Sequence, residues 1–320
     1  MSTISISAVI PVFNDWESAS MLIEKLRDEL AISNPNVKVE VTFVDDGSSE
    51  PVPPPSSLSH PDLKVSILRL STNVGHQLAI LTGLRQVSKS PSTHVLIMDS
   101  DGEDTTAGVI RLIEKALAEP DIAIVAQRGI RSEKFSFRIM YHIHKAIFHT
   151  LIGKRLDFGN FVILPKSAVT KIISLADSSS HLPSSILRSR IPLVRVRVDR
   201  GNRFFGESKM NFEKLVTHSF ASLAVFSDQI MVRLMIFSFF STLITTLGII
   251  IVISTRVFSD LATPGWATAA VGILLVISFQ ILSFVGLGTL ITLNLNSLRN
   301  LNRIHLEAPF LESQESPRQS

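Results

Sequence analysis

Two apolar runs near the C-terminal end constrain this chain more than any other feature. Between Leu234 and Leu293 only Arg256 and Asp260 carry charge. The first run, Leu234–Thr255, would reach roughly 33 Å as a helix at ~1.5 Å per residue, enough for the hydrocarbon core of a bilayer. The second, Trp266–Leu293, is longer than a bilayer requires and would tilt or extend beyond the lipid. The link RVFSDLATPG between them carries a Pro-Gly turn signal. Charge-poor runs of this length are rare in soluble cores, so two transmembrane helices are predicted over 234–293.

The flanks orient the pair. Lys209, Lys214 and Arg233 precede the first run, and Arg299 and Arg303 follow the second. The positive-inside rule places both flanks in the cytosol, with the soluble region and both termini, at the inner membrane if the cell is bacterial. The opening residues MSTISISAVIPVFND lack a basic region and a small-residue cleavage site, so no cleaved signal peptide is expected. Residues 208–233 form the approach to the membrane. Phe212, Leu215, Val216, Phe220 and Leu223 recur there at helical spacing with polar residues between, as in a helix lying at the interface. Residues 294–320 read as a polar cytosolic tail, with disorder expected after Leu306. Gly286-Leu287-Gly288 offers a face for close helix packing, as in a homo-oligomer.

Outside the apolar runs, charge density is that of an ordinary globular protein. The 31 Lys and Arg against 28 Asp and Glu leave a net charge of +3, with no basic block to suggest nucleic-acid binding. Cysteine is absent. That excludes a disulfide scaffold, a thiolate zinc site, an iron–sulfur cluster and a cysteine nucleophile.

In residues 1–207 strands alternate with helices. Strands are predicted over Ser5–Val12, Val37–Val44, Val65–Leu70, His94–Met98 and Ile122–Ala126. Helices are predicted over Trp16–Leu30, Gln77–Val87 and Thr106–Ala118. The alternation predicts an α/β, doubly wound, mostly parallel sheet, with ligands at the carboxyl ends of its strands. Pro51–Pro61 reads as a stiff surface loop.

Acidic residues gather at two of those strand ends. Asp45-Asp46-Gly47-Ser48 follows the second strand, and Asp99-Ser100-Asp101, with Glu103 and Asp104, follows the fourth. Two carboxylates one residue apart at a strand end can face one hard cation, which in turn binds a diphosphate. The P-loop, the dinucleotide-binding glycine fingerprint and the Gly-x-Ser-x-Gly elbow are all missing from the sequence. His142, His144 and His149 lie in a basic amphipathic stretch without accompanying carboxylates, and are read as part of a helix on lipid headgroups or on the core.

The segments VIPVFND, VDDGSS, NVGHQLAILTGL, MDSDGED, DFGNFVIL and RFFGESKMNF, followed by two apolar spans, resemble glycosyltransferase family 2 with its GT-A fold. Within that family they are similar to the polyisoprenyl-phosphate glycosyltransferases. The resemblance implies transfer of a sugar, with inversion, from a UDP- or GDP-linked nucleotide-sugar to a polyprenyl phosphate at the membrane. It implies donor binding by Pro11, Phe13, Asp15, Asp45, Asp46 and Arg128. It implies a Mg2+ or Mn2+ ion on Asp99, Asp101 and Glu103, and phosphate contacts from Arg138, Arg203 and Lys209. Asp15 stands where the family has Glu, Glu103 where it often has Gln, and GEDTT where it has a proline-bearing loop. Two other readings fit the same residues. One is transfer to a saccharide hydroxyl, with Asp104 as general base. The other is a non-catalytic, transferase-like membrane scaffold.

Overall fold

The structure, a computed structural model, describes residues 4–33, 37–61, 63–128, 145–175, 180–206, 212–258, 265–305 and 311–315, with backbone alone at 128, 212, 214, 292–305 and 311–315. Two compact units divide it. One takes in Met1–His149, Lys154–Val225 and Asn302–Ser320, and the other Thr150–Gly153 and Phe226–Leu301.

In the first unit, β1 (Ser5–Val12), α1 (Trp16–Ser33), β2 (Lys38–Asp45), the single-turn α2 (Pro55–Leu58), β3 (Leu63–Leu70), α3 (His76–Val87), β4 (His94–Ile97), α4 (Thr106–Ala118) and β5 (Ala123–Arg128) follow the predicted alternation. Helix α5 (145–152) comes next in the chain, its residues 150–152 counted with the second unit. Then come β6 (Val162–Pro165), α6 (Lys166–Ile173), α7 (Leu182–Arg188), β7 (Leu193–Val198), α8 (Phe212–Ala224) and, in the tail, β8 (Leu311–Glu315). The sheet runs in the order β7-β5-β6-β4-β1-β2-β3-β8. Its centre, β4-β1-β2-β3, is parallel throughout. β6 runs antiparallel between β4 and β5.

Both faces of the central strands are apolar because both are covered. Ile6, Ala8, Ile10 and Val12 of β1 join the core formed with α1 and α4. Val9 and Val44 point to the other face, where Gly83 lets α3 lie against them: a Cβ there would sit 2.5 Å from Val9. Helix α4 starts where Thr105 caps it, its Oγ1 accepting the Gly108 N–H at 3.1 Å.

The backbone corrects two expectations among the described residues: the loop expected over Pro51–Pro61 holds the single-turn α2, and in the tail expected to be disordered Leu311–Glu315 forms β8 antiparallel to β3. Without it, β3 would present a row of unpaired backbone groups at the sheet edge. The antiparallel β6 also went unforeseen. Four buried residues, VILP, are too short a run to separate from a loop by periodicity.

The second unit holds α9 (Ser227–Phe258) and α10 (Trp266–His305). Both have a mean hydropathy of 2.4 over their most apolar stretch, and both are long and apolar enough to span a membrane. Their apolar side chains point outward, Phe237, Ile244, Ile251, Phe279 and Phe284 among them. The helices meet through a hydrogen bond between the Thr245 and Ser278 hydroxyls at 2.7 Å.

Candidate active site

The carboxyl ends of β1, β2, β3 and β4 form one rim, because those strands are parallel neighbours. The rim's first turn follows β1. Pro11 is buried in that strand, Phe13 stands 42% exposed beyond it, and Asp15 is half-buried at the start of α1. Asn14 holds this turn to the next loop. Its N–H donates to Ser48 Oγ at 2.9 Å, and its Oδ1 accepts from the Ser49 N–H at 2.9 Å. Asn14 takes a left-handed φ of 48°, which asparagine tolerates better than most residues.

Asp45 and Asp46 are both buried at the end of β2. Asp45 Oδ1 accepts the Ser48 N–H at 3.1 Å, and its Oδ2 lies 3.4 Å from Arg69 Nε. Asp46 reaches across to the loop after β3, accepting the Val74 N–H at 2.7 Å and the Gly75 N–H at 3.0 Å. Burial pushes its carboxyl above the ordinary 3.8, although those two N–H groups pull the other way.

The two bonds fix the start of α3 and with it His76. Its Nε2 lies 3.3 Å from Asp99 Oδ1 and 3.0 Å from Asn160 Nδ2. Burial disfavours the imidazolium, but Asp99, Asp46 and Asp101 together outweigh that and raise its pKa above 6.5. Gln77 beside it donates to Asn160 Oδ1 at 3.2 Å and accepts the Leu182 N–H at 2.7 Å. Gln77 thereby ties the start of α3 to the start of α7, and Asn160, from DFGNFVIL, holds both His76 and Gln77.

The acidic loop after β4 is tightly built. Asp104 Oδ2 accepts the Asp99 N–H at 2.9 Å, and Asp101 Oδ1 accepts the Glu103 N–H at 3.0 Å. Asp101, Glu103 and Asp104 are buried, while the Asp99 side chain is 24% exposed at the mouth. Burial and the neighbouring Asp99 charge push the Asp101 carboxyl above 3.8, against the Glu103 N–H and Arg203. Arg203 comes from the segment after β7 and donates to Asp101 Oδ2 at 2.5 Å. Arg200, from the same segment, pairs with Glu103.

The structure thus gathers Pro11, Phe13, Asp15, Asp45, Asp46, Asp99, Asp101, Glu103 and Arg203 on one rim. Arg128 ends β5, paired in register with Val198, and its side chain lies outside the described residues. Arg138 and Lys209, with His142 and His144, lie outside them as well. His76 and Arg200 carry no role in the sequence reading, although both sit in quoted or adjoining motifs. Their signal is positional: His76 lies just beyond the loop after β3, and Arg200 lies two residues beyond β7.

Hard oxygen donors at Asp99 and Asp101 suit a divalent cation such as Mg2+ or Mn2+. Among the described residues no three Asp, Glu or His side chains converge as a ready ligand cage. Two carboxylates with the remaining positions left to substrate phosphates is a common arrangement for Mg2+, so the residues fit such an ion bound together with a diphosphate.

The family model described as glycosyl transferase family 2 matches residues 7–173. The chain belongs to this family. That stretch runs from β1 to the end of α6 and contains every rim residue up to Asp104. Among curated relatives, the undecaprenyl-phosphate 4-deoxy-4-formamido-L-arabinose transferase of Edwardsiella ictaluri is 24% identical over 290 residues, covering 89% of this chain and 87% of that protein. The uncharacterized glycosyltransferase YkcC of Bacillus subtilis is 23% identical over 299 residues, covering 88% and 89%. A crystal structure of a mycobacterial protein shares the fold with a TM-score of 0.50 at 13% identity, covering 71% of this chain and 74% of that one. Each of the two alignments with curated relatives covers nearly nine-tenths of both chains.

Proposed function

We propose that this family 2 glycosyltransferase moves a sugar from a UDP- or GDP-linked donor to a polyprenyl phosphate, with inversion, at the surface of a membrane. One observation carries the reading: the guanidinium of Arg203 meets the Asp99–Asp101 rim in a chain that also holds two exposed apolar helices. Acceptor chemistry of that kind needs anion-binding groups beside the donor site and a means of staying at the bilayer. The arabinose transferase relative, named for undecaprenyl phosphate, supports the same acceptor class.

Asp99 and Asp101 would hold Mg2+ or Mn2+, which when bound offsets the donor's diphosphate charge and makes it a better leaving group. Pro11, Phe13, Asp15, Asp45 and Asp46 border the place for base and ribose, and Arg128 extends the donor side. Arg203, with Arg138 and Lys209, orients the acceptor phosphate for in-line attack on the anomeric carbon. That phosphate oxygen is already anionic at neutral pH, so no strong general base is needed. Asp104, the base a hydroxyl acceptor would call for, is buried and accepts the Asp99 N–H instead.

A two-span topology with the sheet domain and both termini cytosolic follows from the positive flanks. A reporter fused after Ser320 and active only on the far side would reverse it. The activity is tested with radiolabelled nucleotide-sugars and undecaprenyl phosphate. Butanol-soluble label supports the proposal, polymeric label points to a saccharide acceptor, and absence of turnover with any donor points to a scaffold.

A further inference from the structure

The segment after β7 is fastened across the acidic loop by more than ion pairs. The Gly201 N–H donates to the Glu103 carbonyl at 2.9 Å, and the Phe204 N–H to the Asp101 carbonyl at 2.9 Å. Asp104 and Arg200 form a β-bridge between the two segments. The Phe204 ring lies on Gly102, whose φ is +86° and where a Cβ would come within 2.6 Å of the ring. Lys25 Nζ lies over the same ring, 4.3 Å from its centroid. At Gly201 a Cβ would run into the Gly102 carbonyl oxygen. Glycine at 102 and 201 is therefore what allows the two backbones to approach this closely.

Glu103 sits at the centre of this strap. One carboxylate oxygen meets Arg200, and the other lies 3.5 Å from Arg203 Nε. The Glu103 side chain is only 10% exposed, so its charge is screened little. An acid here has a task that glutamine performs less well, since an uncharged amide makes a weaker hydrogen bond to Arg200 and offers the Arg203 guanidinium no opposite charge. We propose that Glu103 and Arg200 are positioning residues whose ion pair fastens residues 200–204 over the Asp99–Asp104 loop and so holds Arg203 at the mouth of the site. The proposal rests on the reading of Arg203 as a phosphate-facing residue, but its first test does not require transfer activity.

Limited trypsin digestion of the full chain in detergent, read by mass spectrometry, reports cleavage after Arg200 and Arg203. Glu103→Gln should speed cleavage at Arg203 by about tenfold or more, the scale of one lost charge-assisted hydrogen bond. Glu103→Asp should restore most of the protection. Arg200→Gln should speed cleavage at Arg203 as well, and the double variant Glu103→Gln/Arg200→Gln should be no worse than Glu103→Gln alone, since the two act through one contact. In kinetics, the loss should fall on efficiency toward polyprenyl phosphate and leave the KM for nucleotide-sugar nearly unchanged. Mn2+ binding to each variant, followed by electron paramagnetic resonance, should stay within about twofold of the parent. Unchanged proteolysis in Glu103→Gln, or additive effects in the double variant, would overturn the proposal. So would a Glu103→Gln variant that keeps its strap but loses Mn2+, because Glu103 would then be a metal ligand. If no variant or parent turns over any donor, the functional reading fails while the proteolysis result still decides the strap.

Discussion

Two acidic loops stand at neighbouring positions on one rim, and they spend their carboxylates differently. Asp46, after β2, gives both oxygens to backbone N–H groups of the loop after β3. Those bonds are local architecture: they set where α3 begins and where His76 points. After β4, Asp99 faces an imidazole, and Asp101 gives one oxygen to a guanidinium while its other accepts the Glu103 N–H. Side-chain partners can move aside for a cation or a phosphate, whereas a backbone amide held in a loop cannot without remodelling the chain. Burial raises the pKa of both Asp46 and Asp101, so a perturbed acid alone does not separate brace from reactive site. The identity of the partner does.

The largest effects should separate the two loops cleanly. Asp99→Asn and Asp101→Asn keep the shape and remove the charge, so transfer should fall by roughly a thousandfold or more, the scale of several kcal/mol of lost charge stabilisation. The thermal midpoint should stay within a few degrees of the parent. EDTA should do the same to the parent protein, reversibly on addition of Mg2+ or Mn2+. Full activity in either variant, or in EDTA, would place Asp99 and Asp101 with Asp46 as braces and remove the metal from the reading.

Next in size are the cations proposed to hold the acceptor phosphate. Arg203→Ala and Lys209→Ala each remove a group proposed to donate charge-assisted hydrogen bonds, which contribute about 1.5–3 kcal/mol apiece. Catalytic efficiency toward polyprenyl phosphate should fall by roughly tenfold to over a hundredfold in each, with nucleotide affinity nearly unchanged. A large loss of free-nucleotide affinity in Arg203→Ala would move that residue to the donor side. Normal kinetics in both would detach RFFGESK from the site.

How far the sequence exposes this comparison depends on what kind of signal each part emits. The parallel strands β1 to β5 are legible because buried β-branched runs separated by helical periods have few alternative folds. β1 spans Ser5–Val12 in the structure as expected from its pattern. The antiparallel β6 and the strap at 200–204 are not legible, since short segments acquire their partners only through tertiary contact. The same holds within the site. Asp99-Ser100-Asp101 announces itself through its spacing, and Asp45-Asp46 through its place after a strand. Nothing in VDDGSS says that Asp46 is bonded to Val74 and Gly75, and nothing in GED says that Glu103 lies between two arginines. Residue type and position identify the rim; which groups are braces is decided by backbone hydrogen bonds that a sequence does not display.

The smallest expected effect tests the brace itself. Asp46→Asn keeps an acceptor for the Val74 N–H but turns an amide N–H toward the Gly75 N–H, so one bond is lost and two donors oppose each other. The cost should be about 1–3 kcal/mol, a fall in the thermal midpoint of roughly 2–10 °C for a domain of this size. Activity should drop only in proportion to the displacement of His76. The pH dependence carries a definite sign. Because the folded-state pKa of Asp46 lies above its ordinary 3.8, its linkage contribution is fully present below that value and is lost as the pH rises through the raised one. Asparagine does not titrate. The stability deficit of Asp46→Asn relative to the parent should therefore be greatest near pH 4 and shrink toward pH 7, measured by thermal unfolding of both proteins across that range. A deficit that grows with rising pH would mean that ionisation of Asp46 favours the fold, with the N–H bonds of Val74 and Gly75 outweighing burial. The contrast between the two loops would then be sharper still, with a carboxylate that must stay charged to brace one loop beside carboxylates whose charge serves the reaction in the other.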